Sequence, residues 1–127
     1  MVSSYAAYTM LAFGVTSFAS GLYTLTNPTS FISNFSLPIG SEGSVRGNAL
    51  AAIAMGIYYT LSVYQENRAF YLATVPMRLF TATVFAFQGG AWTVPAAWEG
   101  IGALTTAAAL LFDHSARGFK KGDREAR

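Results

Sequence analysis

Of the fourteen charged side chains in this 127-residue sequence, four interrupt or border long uncharged stretches: Glu42, Arg46, Arg78 and Glu99. Two carboxylates and two guanidinium groups make up an acid–base set. A carboxylate can take a proton from water or a hydroxyl, and a cation can hold the negative charge that then develops on an oxygen. The other charges have simpler settings. Glu66 and Arg68 share a short polar turn, and eight more lie between Asp113 and Arg127, while no charged residue precedes Glu42.

The spacing of the four sorts them further. Glu42 and Arg46 are four apart, so on a helix opened by Ser41 they would share one face and could pair; Glu42 also suits a first turn as a bare acid facing the helix dipole. Asn48 follows Arg46 by two positions, roughly 200° around a helix, and is the weaker companion. Glu99 lies about 5 Å inside its apolar run and Arg78 roughly 15 Å, both counted from the same end, so only the length of the arginine side chain would join them. A carboxylate at that depth must either pair with an arginine or take up a proton. Arg78 follows Pro76 by two, and Pro76 frees the carbonyl of Leu72 and is expected to kink its helix. Glu99 is the candidate base, Arg46 and Arg78 the positioning and charge-stabilising groups, and Glu42 the reserve acid. Asn48, Trp98, Tyr58 and Tyr59 are candidate substrate contacts, although the tyrosines and Trp98, with Trp92, equally suit an interfacial belt.

Several chemistries are excluded. There is no cysteine, hence no disulfide, thiol redox centre or thiolate metal site. The single histidine, in Asp113-His114, reads as a cap and boundary pair, and no metal is expected. Nucleotide and hydrolase fingerprints are absent, so no cofactor is implied. The net charge of +2 comes wholly from the last fifteen residues, which argues against nucleic acid as a partner.

What must position the four charged residues is a set of apolar spans. Charged residues are 11% of the chain and hydrophobic ones 53%, too little charge to cover a small soluble domain. Runs of about 20 apolar residues fit 5–25, 45–64, 69–88 and 96–112, the first closed by Thr26-Asn27-Pro28 and the third by Gly89-Gly90. A secretory signal is the rival reading of the first run, which lacks a basic leader. Within it Gly14, Ser17, Ser20 and Gly21 would let helices approach closely, as would Gly47, Gly56, Gly100 and Gly102 elsewhere. Asn27 and Pro28 open a short helix, with Phe31, Ile32 and Phe35 at helical spacing, that would lie over the bundle mouth as a lid or an interfacial anchor. The expected fold is all-α: an integral membrane four-helix up-down bundle over 1–114 with a short interfacial helix between the first two spans, and a basic cytoplasmic tail over 115–127. Asn34 heads a glycosylation sequon too close to the membrane for use.

Four short spans, an arginine opening the second (Val45-Arg46-Gly47-Asn48-Ala49-Leu50-Ala51, then Met55-Gly56), an arginine in the third and an acid in the fourth resemble the DoxX-like superfamily over about residues 5–112. Within it the chain is similar to small fungal membrane proteins of polyketide and terpenoid pathways. The resemblance implies a lipophilic substrate entering from the bilayer, epoxide opening by hydrolysis or cyclisation without a cofactor, and residence in the endoplasmic reticulum. Isomerisation suits the same residues. The alternative is a non-catalytic DoxX-like subunit in a membrane complex; partners are then lipid and protein, and self-association stays open. The basic residues after Asp113 put both termini on the cytoplasmic side. A reporter fused after Arg127 should therefore read cytoplasmic, and a lumenal readout would reverse the orientation.

Overall fold

The computed structural model describes the backbone of residues 4–125 and the side chains of residues 4–116. The described chain is all-helical: α1 (Tyr5–Thr26), α2 (Pro28–Asn34), α3 (Glu42–Tyr64), α4 (Arg68–Gln88) and α5 (Thr93–Glu125), with one 3₁₀ turn at Gly90–Trp92. Two stretches, Arg68–Gln88 and Gly90–Ala116, are long and apolar enough to cross a membrane. The sequence leads one to expect four. α1 and α3 have 22 and 23 residues, and α1 carries eight glycine, serine and threonine residues against three in α4. Two of the α1 threonine hydroxyls turn back on their own helix, Thr16 donating to the Ala12 carbonyl at 2.7 Å and Thr26 to that of Leu22 at 3.0 Å.

Helix ends follow local chemistry with three corrections. Asn27 precedes α2, but its side chain does not cap it. Its Nδ2 donates to the Tyr23 carbonyl at 3.2 Å and to Thr26 at 2.9 Å, so it closes α1 instead. A single residue separates the two helices, and it faces the last carbonyls of α1 before the first amides of α2. Ser41 likewise precedes α3 without capping it, its hydroxyl donating to the Pro38 carbonyl at 2.7 Å. α5 begins at Thr93, three residues before the expected span, with Pro95 in the first turn, where a missing N–H removes no helical bond. Gly89 and Gly90 break the chain as expected, with φ of +67° and +56°. Asn67 caps α4 by accepting from Phe70 N–H at 3.0 Å, and α4 continues as helix on both sides of Pro76.

The tertiary arrangement pairs α1 with α3 and α4 with α5, and α1 also packs along α5. α1 and α3 meet almost backbone to backbone. A Cβ on Gly56 would lie 2.6 Å from the Cβ of Phe18 and 2.7 Å from the Gly14 carbonyl, and one on Gly21 would lie 2.8 Å from that of Ala49. Ser17 bridges the same seam by donating to the Ala52 carbonyl at 3.0 Å. On α5 the buried positions Glu99, Ala103, Thr106, Leu110 and Asp113 are spaced by four and three, with Ala109 buried beside Leu110, the spacing of a helix packed nearly parallel to its neighbours. Met10, Phe13, Tyr59, Val63, Tyr71, Ala109 and Leu110 form the main apolar cluster. α2 packs on α3, and its Phe31 stacks on Phe35, which meets Trp92 edge-on at 4.8 Å.

Asp113 does more than mark a boundary. Its carboxylate accepts from the backbone N–H groups of Tyr5 and Ala6, each at 3.1 Å, while Ser4 accepts from Ala7 N–H at 3.2 Å. Three of the four amides that α1 leaves without helical partners are thus satisfied, two of them by an acid more than a hundred residues away. His114 beside it is exposed. Replacing Asp113 by Ala should cost about 1–2 kcal/mol of stability, as loss of a charged cap does. Thermal unfolding in detergent micelles, with hydrogen exchange at the Tyr5 and Ala6 amides, would measure it; unchanged protection at both amides would refute the cap.

Candidate functional site

The buried face of α4 runs through Tyr71, Thr74 and Arg78, and that of α5 begins at Glu99. Arg78 is ten residues before the end of α4. Because α5 starts at Thr93, Glu99 lies six residues inside it, so the depths are about 15 and 9 Å, closer than the sequence estimate. The arginine side chain spans the remainder. Its Nε donates to Glu99 Oε2 at 2.9 Å, with the two side chains 4% and 10% exposed.

The guanidinium is held face-on. Its Cζ lies 3.5 Å from the centroid of the Phe13 ring, a cation–π contact supplied by α1. A Cβ on Gly102 would lie 2.7 Å from Cζ and 3.0 Å from Nη1, and would collide with Nη2, so the bare backbone of α5 passes against the group. Gly102 is therefore required by one side chain rather than by helix–helix approach in general. Its carbonyl accepts from Thr105 at 3.0 Å and from Thr106 at 2.9 Å, and Thr106 in turn meets Thr9 of α1 at 3.0 Å.

This ion pair is incomplete on both sides. Arginine usually offers a carboxylate two parallel N–H groups. Here only Nε is used, and Nη1 and Nη2 are buried with no acceptor among the described residues. Glu99 Oε1 has no hydrogen-bond partner among the described residues either, yet it is not one of the fully covered atoms. Taking two ions from water costs several kcal/mol each, and an unsatisfied buried donor adds about 1–3 kcal/mol. Stability alone does not account for such an arrangement. Chemically, it offers one free carboxylate oxygen beside unmatched donors of a permanent cation.

Around the pair the aromatic side chains are continuous. Phe13 packs on Tyr59 with ring centroids 4.8 Å apart and stacks on Trp98 at 6.0 Å, and the Tyr59 hydroxyl is hydrogen-bonded to Thr74. Tyr59 is buried, while Trp98 is about half exposed at 48%. The remaining candidates lie elsewhere. Glu42, Arg46, Asn48 and Tyr58 are exposed, and among the described residues Glu42 and Arg46 form no ion pair. The reason is rotational: α3 buries Val45, Ala49, Gly56 and Tyr59, which turns Arg46 and Asn48 outward. Sequence reasoning missed Phe13, Gly102 and Thr74. Gly102 follows Glu99 by three and Thr74 precedes Arg78 by four, helical neighbours that spacing could have flagged, whereas nothing in the sequence ties Phe13 to Arg78.

No group of three or more His, Cys, Asp or Glu side chains suited to a metal ion occurs among the described residues. Comparison with family models, curated proteins and solved structures finds no match for the chain.

The incomplete pair makes a double-variant cycle informative. Arg78→Met and Glu99→Leu, made singly, should each cost about 3–5 kcal/mol by leaving one uncompensated buried charge. The combined variant should be clearly more stable than the sum of the two. Additive losses, measured by denaturant unfolding in micelles, would show that the two groups do not act as a pair.

Proposed function

We propose that the protein is a cofactor-independent membrane enzyme in which Glu99 acts as base and Arg78 stabilises developing negative charge during epoxide opening on a lipophilic substrate. The observation that carries this reading is the pairing through Nε alone, which leaves Glu99 Oε1 without a hydrogen bond and Nη1 and Nη2 buried without an acceptor. In the hydrolytic course Glu99 removes a proton from water as the water oxygen bonds to an epoxide carbon. The carbon–oxygen bond of the ring breaks, its electron pair passes to the epoxide oxygen, and Arg78 holds that alkoxide until Glu99 returns the proton. An internal hydroxyl in place of water gives cyclisation with the same proton balance. Membership of the DoxX-like group, with its fungal polyketide and terpenoid examples, belongs to this proposal and agrees with an acid and an arginine on adjacent helices.

The membrane setting is part of the same proposal: α1, α3, α4 and α5 run up and down across the bilayer, α2 lies at the interface, and both termini face the cytoplasm, in the endoplasmic reticulum. Two apolar spans support it, as does an outer surface on which Phe80, Phe87, Leu104, Leu111 and Phe112 are 62–89% exposed. Lipid is the natural cover for such a surface. Glu42 and Arg46 then belong to the interface, outside the reaction. The reading as a non-catalytic subunit is favoured by one feature, the enclosure of the guanidinium between Phe13 and Gly102.

Turnover separates the two. With an epoxidised terpenoid ester such as 10,11-epoxyfarnesyl acetate, which has no internal hydroxyl, the micelle-embedded protein should yield the diol carrying ¹⁸O from labelled water. Glu99→Gln should lower the rate by at least about a hundredfold, the usual worth of a general base, whereas Glu42→Gln should leave it unchanged. Equal turnover by wild type and Glu99→Gln would remove Glu99 from the base role.

A further inference from the structure

We infer that this site selects uncharged ligands: its occupant is a lipophilic molecule bearing a neutral oxygen acceptor, of the epoxide, ketone, ester or lactone class, seated on Nη1 and Nη2 of Arg78, and free carboxylates and phosphates are rejected. The inference deepens the proton-transfer reading above and rests on it for the reacting state only.

The argument begins with charge. Arg78 and Glu99 are joined at 2.9 Å, and the groups packed on the guanidinium, the Phe13 ring and the Gly102 backbone, are uncharged, as are Tyr59 and Trp98, which pack on Phe13 in turn. The pair sums to zero. An anion brought to Nη1 and Nη2 would meet the attraction of the guanidinium and, a few ångströms farther, the repulsion of the carboxylate, with little net gain to offset its own loss of water. A neutral oxygen sheds far less hydration and still accepts charge-assisted hydrogen bonds from both amino groups. It also removes the one defect of the site, two donors that are more than nine-tenths buried and have no acceptor.

Neutrality persists through the reaction. When Glu99 takes a proton it becomes a neutral acid, and the negative charge moves to the ligand oxygen, where it faces the guanidinium that has just lost its partner. An anionic ligand would instead bring a second negative charge to a site with one cation. Nη1 and Nη2 have no surface of their own, so the oxygen reaches them by displacing the Phe13 ring that lies over the guanidinium. Trp98, half exposed and stacked on Phe13, is the outer side chain that would have to move with it.

Three probes of equal chain length test the inference on the full-length protein in detergent, with adducts counted by native mass spectrometry: 2-dodecanone, dodecanoate and dodecane. Wild type should bind the ketone about tenfold or more tightly than either of the others, the worth of one charge-assisted hydrogen bond. Glu99→Gln, which leaves the cation uncompensated, should reverse the order of ketone and dodecanoate. The doubly neutral Arg78→Met, Glu99→Leu variant should lose the preference of ketone over dodecane, and it keeps the test intact should Glu99→Gln fail to fold. Dodecanoate bound by wild type as tightly as the ketone, or dodecane equal to the ketone, would overturn the inference. Ketone selectivity without epoxide turnover would refute the hydrolase or cyclase reading while leaving this one standing, and turnover without ketone selectivity would do the reverse.

Discussion

A guanidinium that cannot reach water organises the centre of this protein. Arg78 lies midway along α4 and is 4% exposed, so its charge must be met from within. Each neighbouring helix supplies one part of the answer: Glu99 and the bare Gly102 from α5, the Phe13 ring from α1. These contacts are mutually dependent. A side chain at position 102 would push the guanidinium off the phenyl ring, and a shift of α5 by one turn would take Glu99 out of reach of Nε. The ion pair thus sets the register of α4 against α5 and the face that α1 presents to both.

α5 is the element on which this logic repeats. Its buried seam carries Glu99 near one end and Asp113 near the other, with Thr106 between them. Each acid answers a different positive charge, Glu99 the side chain of α4 and Asp113 the partial charge at the start of α1. Thr106 adds a hydroxyl contact to Thr9, so α1 is tied to α5 by polar groups at both its first turn and the turn after. On its other flank α1 meets α3 without charge, through glycine contacts and the Ser17 hydroxyl. Polar ties occupy one flank of α1 and close backbone packing the other. Among apolar surroundings the first gives specificity of partner and the second gives dispersion contact.

The charges divide accordingly. Those on the inside face one another or a helix terminus, while Glu42 and Arg46 stay outside although they sit at pairing distance in sequence. An i, i+4 pair between exposed residues is worth only a few tenths of a kcal/mol, and loses to solvation of each group by itself. Burial removes that alternative for Arg78 and Glu99, so the pair that looked harder to form is the one that exists.

The sequence by itself determined the helical class, the breaks at Asn27-Pro28, the polar turn of Glu66 and Arg68 and Gly89-Gly90, and the short list of charged residues that require an explanation. All of these follow from composition and local propensity, which act within a few residues. The choice among those charged residues was tertiary. Whether Arg46 or Arg78 meets Glu99 depends on the rotation of α3 and α4 about their axes and on α5 starting at Thr93, one turn early. Rotation follows from which faces bury the most contact with all neighbours at once. Phe13 was invisible for the same reason, since a phenyl ring becomes a cation's partner only when another helix delivers the cation to its face. Asp113 reads in sequence as the end of a span, and only the docking of α1 beside α5 makes it the cap of a helix that begins more than a hundred residues earlier.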